Sequence, residues 1–192
     1  MDNSKDQLIL VNTFDEPIGE ADKLTVHREG LLHRAFSIFL IDVEERKVLI
    51  QKRAKGKYHS SGLWANACCS HPRIKENLLD AARRRMNEEI GLSCELEELF
   101  SFTYRQGFSN GLTEYEIDHV IVGNYDSNKQ DYLIDPDEVE ELMWIDMDHL
   151  ATILYQKPQI FASWFLICAP KVLEYMKELI AREHIKPVKI KE

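Results

Sequence analysis

The segment "ENLLDAARRRMNEEIGL" (residues 76–92) constrains the fold of this chain more than any other. Leu79, Ala82, Met86 and Ile90 recur at helical spacing, Asn77 stands where an N-cap belongs, and Gly91 stands where a left-handed C-terminal cap belongs. The spacing predicts one amphipathic helix with a single apolar face, which needs a sheet or other helices to cover it. The flanking segments supply a sheet. "HRAFSIFLID" (33–42) and "KVLIQKR" (47–53) read as adjacent strands or a hairpin, and "LEELFSFTYRQ" (96–106), "TEYEIDHVIVGNY" (113–125) and "EVEELMWIDM" (138–147) as further strands. Between residue 53 and the helix the chain reads as a long loop, broken by Gly62 and Pro72. Two helices are expected to close the chain: "DMDHLATILYQ" (146–156), capped by its Asp, and residues 158–184, where Pro170 is expected to kink or split the helix. The expected fold is α/β of the α+β kind, a mixed sheet sandwiched between helices.

The length of 192 residues suits one domain over 1–192, and no repeat or Gly/Ser linker argues for a second. No apolar run approaches the roughly 20 residues of a membrane span, and the first ten residues lack the pattern of a signal peptide, so the expectation is a cytoplasmic protein with no membrane partner. Cys68, Cys69, Cys94 and Cys168 form no CxxC pair, and directly adjacent cysteines are poorly placed to bridge each other. Reduced thiols follow. A formal charge of −9 opposes general affinity for nucleic acid. An anionic ligand therefore needs a locally basic site or a metal.

Both are present in the sequence. Lys52, Arg53, Lys55 and Lys57 crowd into six residues of an otherwise acidic chain, and such groups suit a diphosphate, although a solvated loop is the plain alternative. On the helix, Arg85 and Glu89 share a face with Glu88 beside them, as an exposed ion pair or as something more specific. Glu114 and Glu116, two apart on a strand, point to one face and Tyr115 to the other. Two adjacent carboxylates disfavour each other unless a cation or a shared proton intervenes. His27, His33 and His71 come from three separate segments. If folding gathered them with the two carboxylates, the set would suit a divalent transition metal, and would tolerate magnesium or manganese.

The helix resembles the Nudix box, G-x5-E-x7-R-E-U-x-E-E-x-G-U, at Glu76, Arg84, Met86, Glu88, Glu89, Gly91 and Leu92. It departs at Ser70, in place of the first glycine, and at Arg85, in place of a glutamate that Nudix hydrolases use for metal. "HRAFSIFLID", "GLWANACCSHP", "TYRQ", "EYE" and "SWF", in that order over about residues 20–170, resemble the type I isopentenyl-diphosphate isomerases, the metal-dependent, flavin-free kind. That resemblance implies a Nudix-like fold and a 1,3-shift converting isopentenyl to dimethylallyl diphosphate. It makes Cys69 the catalytic thiol and Glu116 the acid–base carboxylate, with Tyr104 hydrogen-bonded within that pair and Trp164 facing the reacting hydrocarbon. It implies a divalent metal (Mg²⁺ or Mn²⁺, with Zn²⁺ a further candidate) on His27, His33, His71, Glu114 and Glu116, and Glu89 beside a second Mg²⁺ that arrives with substrate. Lys23, Arg53, Lys57 and Arg85 would contact the diphosphate. The expected partner is this small molecule alone, with the protein a monomer or weak homodimer. Two other classes remain open: a Nudix pyrophosphohydrolase of nucleoside diphosphate derivatives, and a diphosphate-binding module without turnover.

Overall fold

The structure, a computed structural model, describes residues 7–57, 59–129 and 131–184. Among the described residues nine strands form one sheet: β1 (Gln7–Val11), β2 (Pro17–Asp22), β3 (His33–Asp42), β4 (Lys47–Arg53), β5 (Trp64–Asn66), β6 (Cys68–Ser70), β7 (Glu97–Gly107), β8 (Thr113–Asn124) and β9 (Val139–Asp146). The helices are α1 (Lys23–Glu29), α2 (Leu78–Ile90), α3 (Met147–Gln156) and α4 (Ser163–His184), with a 3-10 turn at Pro158–Ile160.

β3 is the spine. Along one edge it pairs in parallel with β8 from His33↔Glu116 to Ile41↔Asn124. Its other edge is shared by three short partners in turn: β1 at His33, β6 at Phe36–Ile38 and β4 at Leu40–Asp42. These three partners bring segments far apart in sequence against one edge of β3.

Alternation then assigns the two faces. Phe36, Ile38 and Leu40 of β3 pack with Met86 and Ile90 of α2. Phe39 and Ile41, with Val120 and Val122 of β8, pack under Phe165, Ala169, Val172 and Met176 of α4. Burying a residue such as Phe165 contributes roughly 1.5–3 kcal/mol, so the apolar stripe, rather than intrinsic propensity, holds α4 in place. On that same face the strands turn polar toward one end. His33 and Ser37 precede Phe39 on β3, and Glu114, Glu116 and Asp118 precede Val120 on β8, all buried.

The expected strands and the central helix are present, with Asn77 accepting from Leu79 and Asp80 N–H and Gly91 at φ 71°. A Cβ on Gly91 would lie 2.6 Å from Leu133 Cβ and 2.8 Å from its backbone nitrogen. That close approach lets Leu133 N–H and Asp135 N–H donate to the carbonyls of Ile90 and Glu89, which brings residue 138 alongside α2.

Three expectations need correction. The long loop before the helix contains β5 and β6, which join the sheet through β4 and β3. The last helix begins at Ser163 rather than at 158, and it runs unsplit through Pro170, which faces solvent, where water can hydrate the carbonyl of Leu166 that lost its donor. His27 lies on a short helix, α1, capped by Asp22 and closed by Gly30 at φ 63°, that the N-terminal segment did not announce. No helix among the described residues is long and apolar enough to cross a membrane.

Candidate active site

The polar end of the α4-side face lines a cleft, and its chemistry divides into two ends and a thiol. At the first end, one ligand atom each from His27, His33, His71 and Glu116 lies within 4.8 Å of every other. The lysine-23 and leucine-31 carbonyls engage Nδ1 of His27 (2.6 Å) and of His33 (2.9 Å), so both rings are oriented with Nε2 turned inward. A backbone carbonyl on Nδ1 is what fixes an imidazole with its other nitrogen aimed at a metal. His33 Nε2 lies 3.3 Å from Glu116 Oε1 without meeting hydrogen-bond geometry, a buried nitrogen left without a hydrogen-bond partner. His71 Nε2 lies 3.2 Å from the same oxygen. Burial pushes His27 down to about 4 and His71 down to about 3, so these imidazoles are neutral at pH 7. Burial opposes the charge on Glu116 too, but His33 and His71 outweigh it and hold that carboxyl well below its usual range. Neutral imidazoles around an ionised carboxylate are the donor set of a divalent cation, and the residues present fit one.

Tyr104, opposite Glu116 in the β7–β8 register, offers its one phenol proton to Glu116 Oε2 (2.7 Å) and Glu114 Oε2 (2.9 Å). Burial and the two carboxylates push its own ionisation far up, so it remains a donor. Glu114 lies outside the four-residue group: its other oxygen meets His59 Nε2 at 2.9 Å.

The adjacent cysteines separate by strand alternation. Cys68 is fully buried on the α2 side, while Cys69 faces the cleft opposite Ser37, and all four cysteines are free. Burial, then the charge of Asp118, pushes the Cys69 thiol up to about 12, so it is protonated at neutral pH. Its S–H donates to Asn66 Oδ1 at 3.0 Å. Trp164, at the start of α4, is 3% exposed, lines the cleft, and donates its indole N–H to the same oxygen at 3.1 Å.

The second end is cationic. Lys23, Arg53, Lys57 and Arg85 all line the cleft, whereas Lys52 and Lys55 of the basic run turn away to Glu140. Arg85 binds Glu89 and Glu88 on its own helix and reaches Glu138 at 3.3 Å, and Lys57 binds Glu138 as well. Burial opposes the Arg85 charge, but Glu89 and its neighbours more than offset this. Burial, then repulsion from Lys57, lowers Lys23 to about 8. The box residues also brace the approach to α2, since Arg84 grips Glu76 with two hydrogen bonds of 2.7 and 2.9 Å.

Folding therefore lines one cleft with Cys69, Glu116, Tyr104, Trp164, Lys23, Arg53, Lys57, Arg85, His71 and Glu114, with His27 and His33 packed behind it at Glu116 and Glu89 behind it at Arg85. The sequence reading missed four participants. Asp118 was within reach, because the alternation that pairs Glu114 with Glu116 continues to it, and it is buried with Ser37 Oγ donating to it at 2.8 Å. Asn66 stood unremarked inside the quoted cysteine motif. His59, stacked on Phe108 with ring centroids 4.8 Å apart, and Glu138 carried no local signal.

A curled mixed sheet flanked by helices, with a glutamate-rich helix beside a polar cleft, defines a Nudix-class protein, and residues 31–165 match the NUDIX domain family. A crystal structure of a Deinococcus radiodurans protein superposes with a TM-score of 0.69 at 16% identity, over 86% of this chain and 98% of that one. A MutT NUDIX hydrolase from Burkholderia pseudomallei gives 0.57 at 20% identity, over 73% and 98%. These show the fold. Within that class, the chain belongs to the isopentenyl-diphosphate Delta-isomerase family. It is 46% identical over 169 residues to isopentenyl-diphosphate Delta-isomerase 2 of Aromatoleum aromaticum, covering 88% of this chain and 87% of that protein. It is 47% identical over 163 residues to isopentenyl-diphosphate Delta-isomerase of Burkholderia multivorans, covering 84% and 89%.

Proposed function

We propose that this protein interconverts isopentenyl and dimethylallyl diphosphate by protonation and deprotonation at Cys69 and Glu116. The observation that carries the reading is a protonated thiol and an ionised carboxylate lining one cleft whose other end is cationic. The substrate's allylic C–H is a weak acid, so direct proton abstraction is a poor route. Protonating the terminal alkene carbon gives a tertiary carbocation, and loss of a proton from the neighbouring carbon gives the isomer. That sequence needs one proton donor and one acceptor, and Cys69 and Glu116 carry one proton between them. Tyr104 orients Glu116 and leaves Glu114 beside it.

The cation must be kept from water. Phe36 and Trp164 line the cleft, and a desolvated cation over an indole face gains roughly 2 kcal/mol. Realised only in the transition state, that is about thirtyfold in rate. His27, His33, His71 and Glu116, with Glu114 adjacent, would hold a divalent ion (Mg²⁺, Mn²⁺ or Zn²⁺). Its charge would fix Glu116 and tune that carboxylate's proton affinity. Lys23, Arg53, Lys57 and Arg85 would take the diphosphate, with Glu89 beside a Mg²⁺ that comes with it. No flavin is needed for this chemistry. A cytoplasmic setting and a monomeric or weakly dimeric state accompany this reading.

Arg85 also bears on hydrolysis. It occupies the place of a metal-binding carboxylate, and its guanidinium engages both Glu88 and Glu89, which a hydrolase would need for metal. The test is proton NMR of isopentenyl diphosphate in D₂O with metal-loaded protein, with metal-stripped and Cys69→Ala samples alongside. Deuterated dimethylallyl diphosphate in the first sample alone is expected. Unchanged substrate with cleavage of nucleoside diphosphate derivatives would put hydrolysis in its place, and tight binding without turnover would leave a binding module.

A further inference from the structure

Asn66 is fully buried, and all its hydrogen-bonding directions are in use. Its Nδ2 donates to the carbonyls of Ile38 (3.1 Å) and Cys68 (2.7 Å). Its Oδ1 accepts from Cys69 Sγ (3.0 Å) and from Trp164 Nε1 (3.1 Å). The amide cannot be turned over. An NH₂ in place of Oδ1 would face the indole N–H, donor against donor, and an oxygen in place of Nδ2 would face two carbonyls. The β3 and β6 backbones thus lock the orientation of one acceptor oxygen, and that oxygen meets both a thiol and an indole.

We propose that Asn66 is a positioning residue for the reaction, a shared acceptor that sets the direction of the Cys69 thiol and the plane of the Trp164 indole together. This rests on the isomerase reading above. Sharing has a physical advantage at a site where the thiol gives up and regains its proton. A buried acceptor that loses its only donor costs about 1–3 kcal/mol. Here the indole N–H stays on Oδ1 when the S–H is withdrawn, so no buried oxygen is stranded. Ser37 Oγ lies 3.7 Å from the sulfur and donates to Asp118 at 2.8 Å. The indole held by Asn66 keeps its ring in the cleft rather than free to follow the helix end. Asn66 touches neither substrate nor metal in this scheme and acts only through these two side chains.

Two substitutions separate positioning from architecture. Asn66→Leu, close in shape, removes all four hydrogen bonds. Asn66→Asp removes the donors to Ile38 and Cys68 but keeps the acceptor oxygen. Both lose the contacts that tie the strands, and Asn66→Asp also sets an oxygen against two carbonyls, so both should lower the melting temperature, the aspartate at least as much as the leucine. Turnover should divide them: kcat falls about a hundredfold in Asn66→Leu, the scale of one lost catalytic hydrogen-bond partner, with KM within about threefold, whereas Asn66→Asp retains kcat within about tenfold. Equal kcat losses in the two variants, or a loss expressed in KM alone, would overturn the proposal.

A second measurement does not need either variant to fold. In ¹⁵N-tryptophan spectra of metal-loaded protein, Cys69→Ala removes one of the two donors to Oδ1, and the Trp164 indole N–H resonance should move while those of Trp64 and Trp144 stay. An unmoved Trp164 signal would overturn the shared acceptor. Absence of turnover in the unaltered protein would instead count against the isomerase reading, and the spectra would still report on Asn66.

Discussion

The two ends of the cleft both bury charge, and they do so in opposite ways. At the histidine end, burial leaves His27 and His71 neutral, and one ionised carboxylate, Glu116, is surrounded by imidazoles. At the arginine end, charge is kept and paired: Arg85 with Glu88, Glu89 and Glu138, and Lys57 with Glu138. The first arrangement suits a ligand that brings positive charge, and the second a ligand that brings negative charge and can replace carboxylates already in contact. On the proposed reading, a diphosphate at the second end would place its hydrocarbon toward Cys69, Trp164 and Glu116, and the contrast in charge handling would set the direction of the substrate.

The sharpest way to break this comparison is at the thiol between the two ends. Cys69→Ala should lower kcat by about 10²–10⁴, the range for a proton-transfer group, with the melting temperature nearly unchanged. A variant with most of its activity would remove Cys69 from the chemistry. Arg85→Gln should act on both stability and binding. It strands Glu89 in the interior, which costs about 3–5 kcal/mol when one partner of a buried pair is deleted. Denaturant unfolding should show that loss, together with a raised KM. Comparable loss from the corresponding change at the histidine end, His71→Gln, would erase the distinction, because a neutral imidazole carries no charge whose removal strands a buried partner.

Gly91→Ala comes next. A left-handed backbone costs about 1–2 kcal/mol, and the clash with Leu133 adds about 1–3 kcal/mol. Because the same approach seats Glu138 beside Arg85, KM should shift as well as stability. The smallest effect is on pH. Lys23 is lowered to about 8, so its charge is complete below that pH and lost above it, and kcat/KM should decline as pH rises through about 8 while kcat changes less. Substitution of Lys23 by Arg, which remains charged, should flatten that decline, and an unflattened profile would assign it to another group.

Much of this was legible in the chain itself. Period-3.6 and period-2 patterns marked α2 and the longer strands, and the capping residues Asn77, Gly91 and Asp146 marked helix ends correctly. The same alternation put Glu114 and Glu116 on one face, and it explains why neighbouring Cys68 and Cys69 have unrelated surroundings. Short elements were not legible. β5 and β6 have three residues each, too few for a period to show, and they exist because β3 and β4 offer open edges to pair with.

The sequence by itself determined the class of fold, the face each strand residue takes and the kinds of groups available, because these depend on local geometry and side-chain chemistry. Only the tertiary structure decided that His27, His33 and His71 meet at Glu116, that His59 turns to Glu114, that Glu138 sits among the cations, and that one amide oxygen serves both Cys69 and Trp164. Apart from Asn66 to Cys69, three residues on, the partners in those contacts lie 45 to 98 positions apart. No spacing along the chain encodes them, since they arise only when β1, β6 and β4 share one edge of β3 and bring their segments to one cleft.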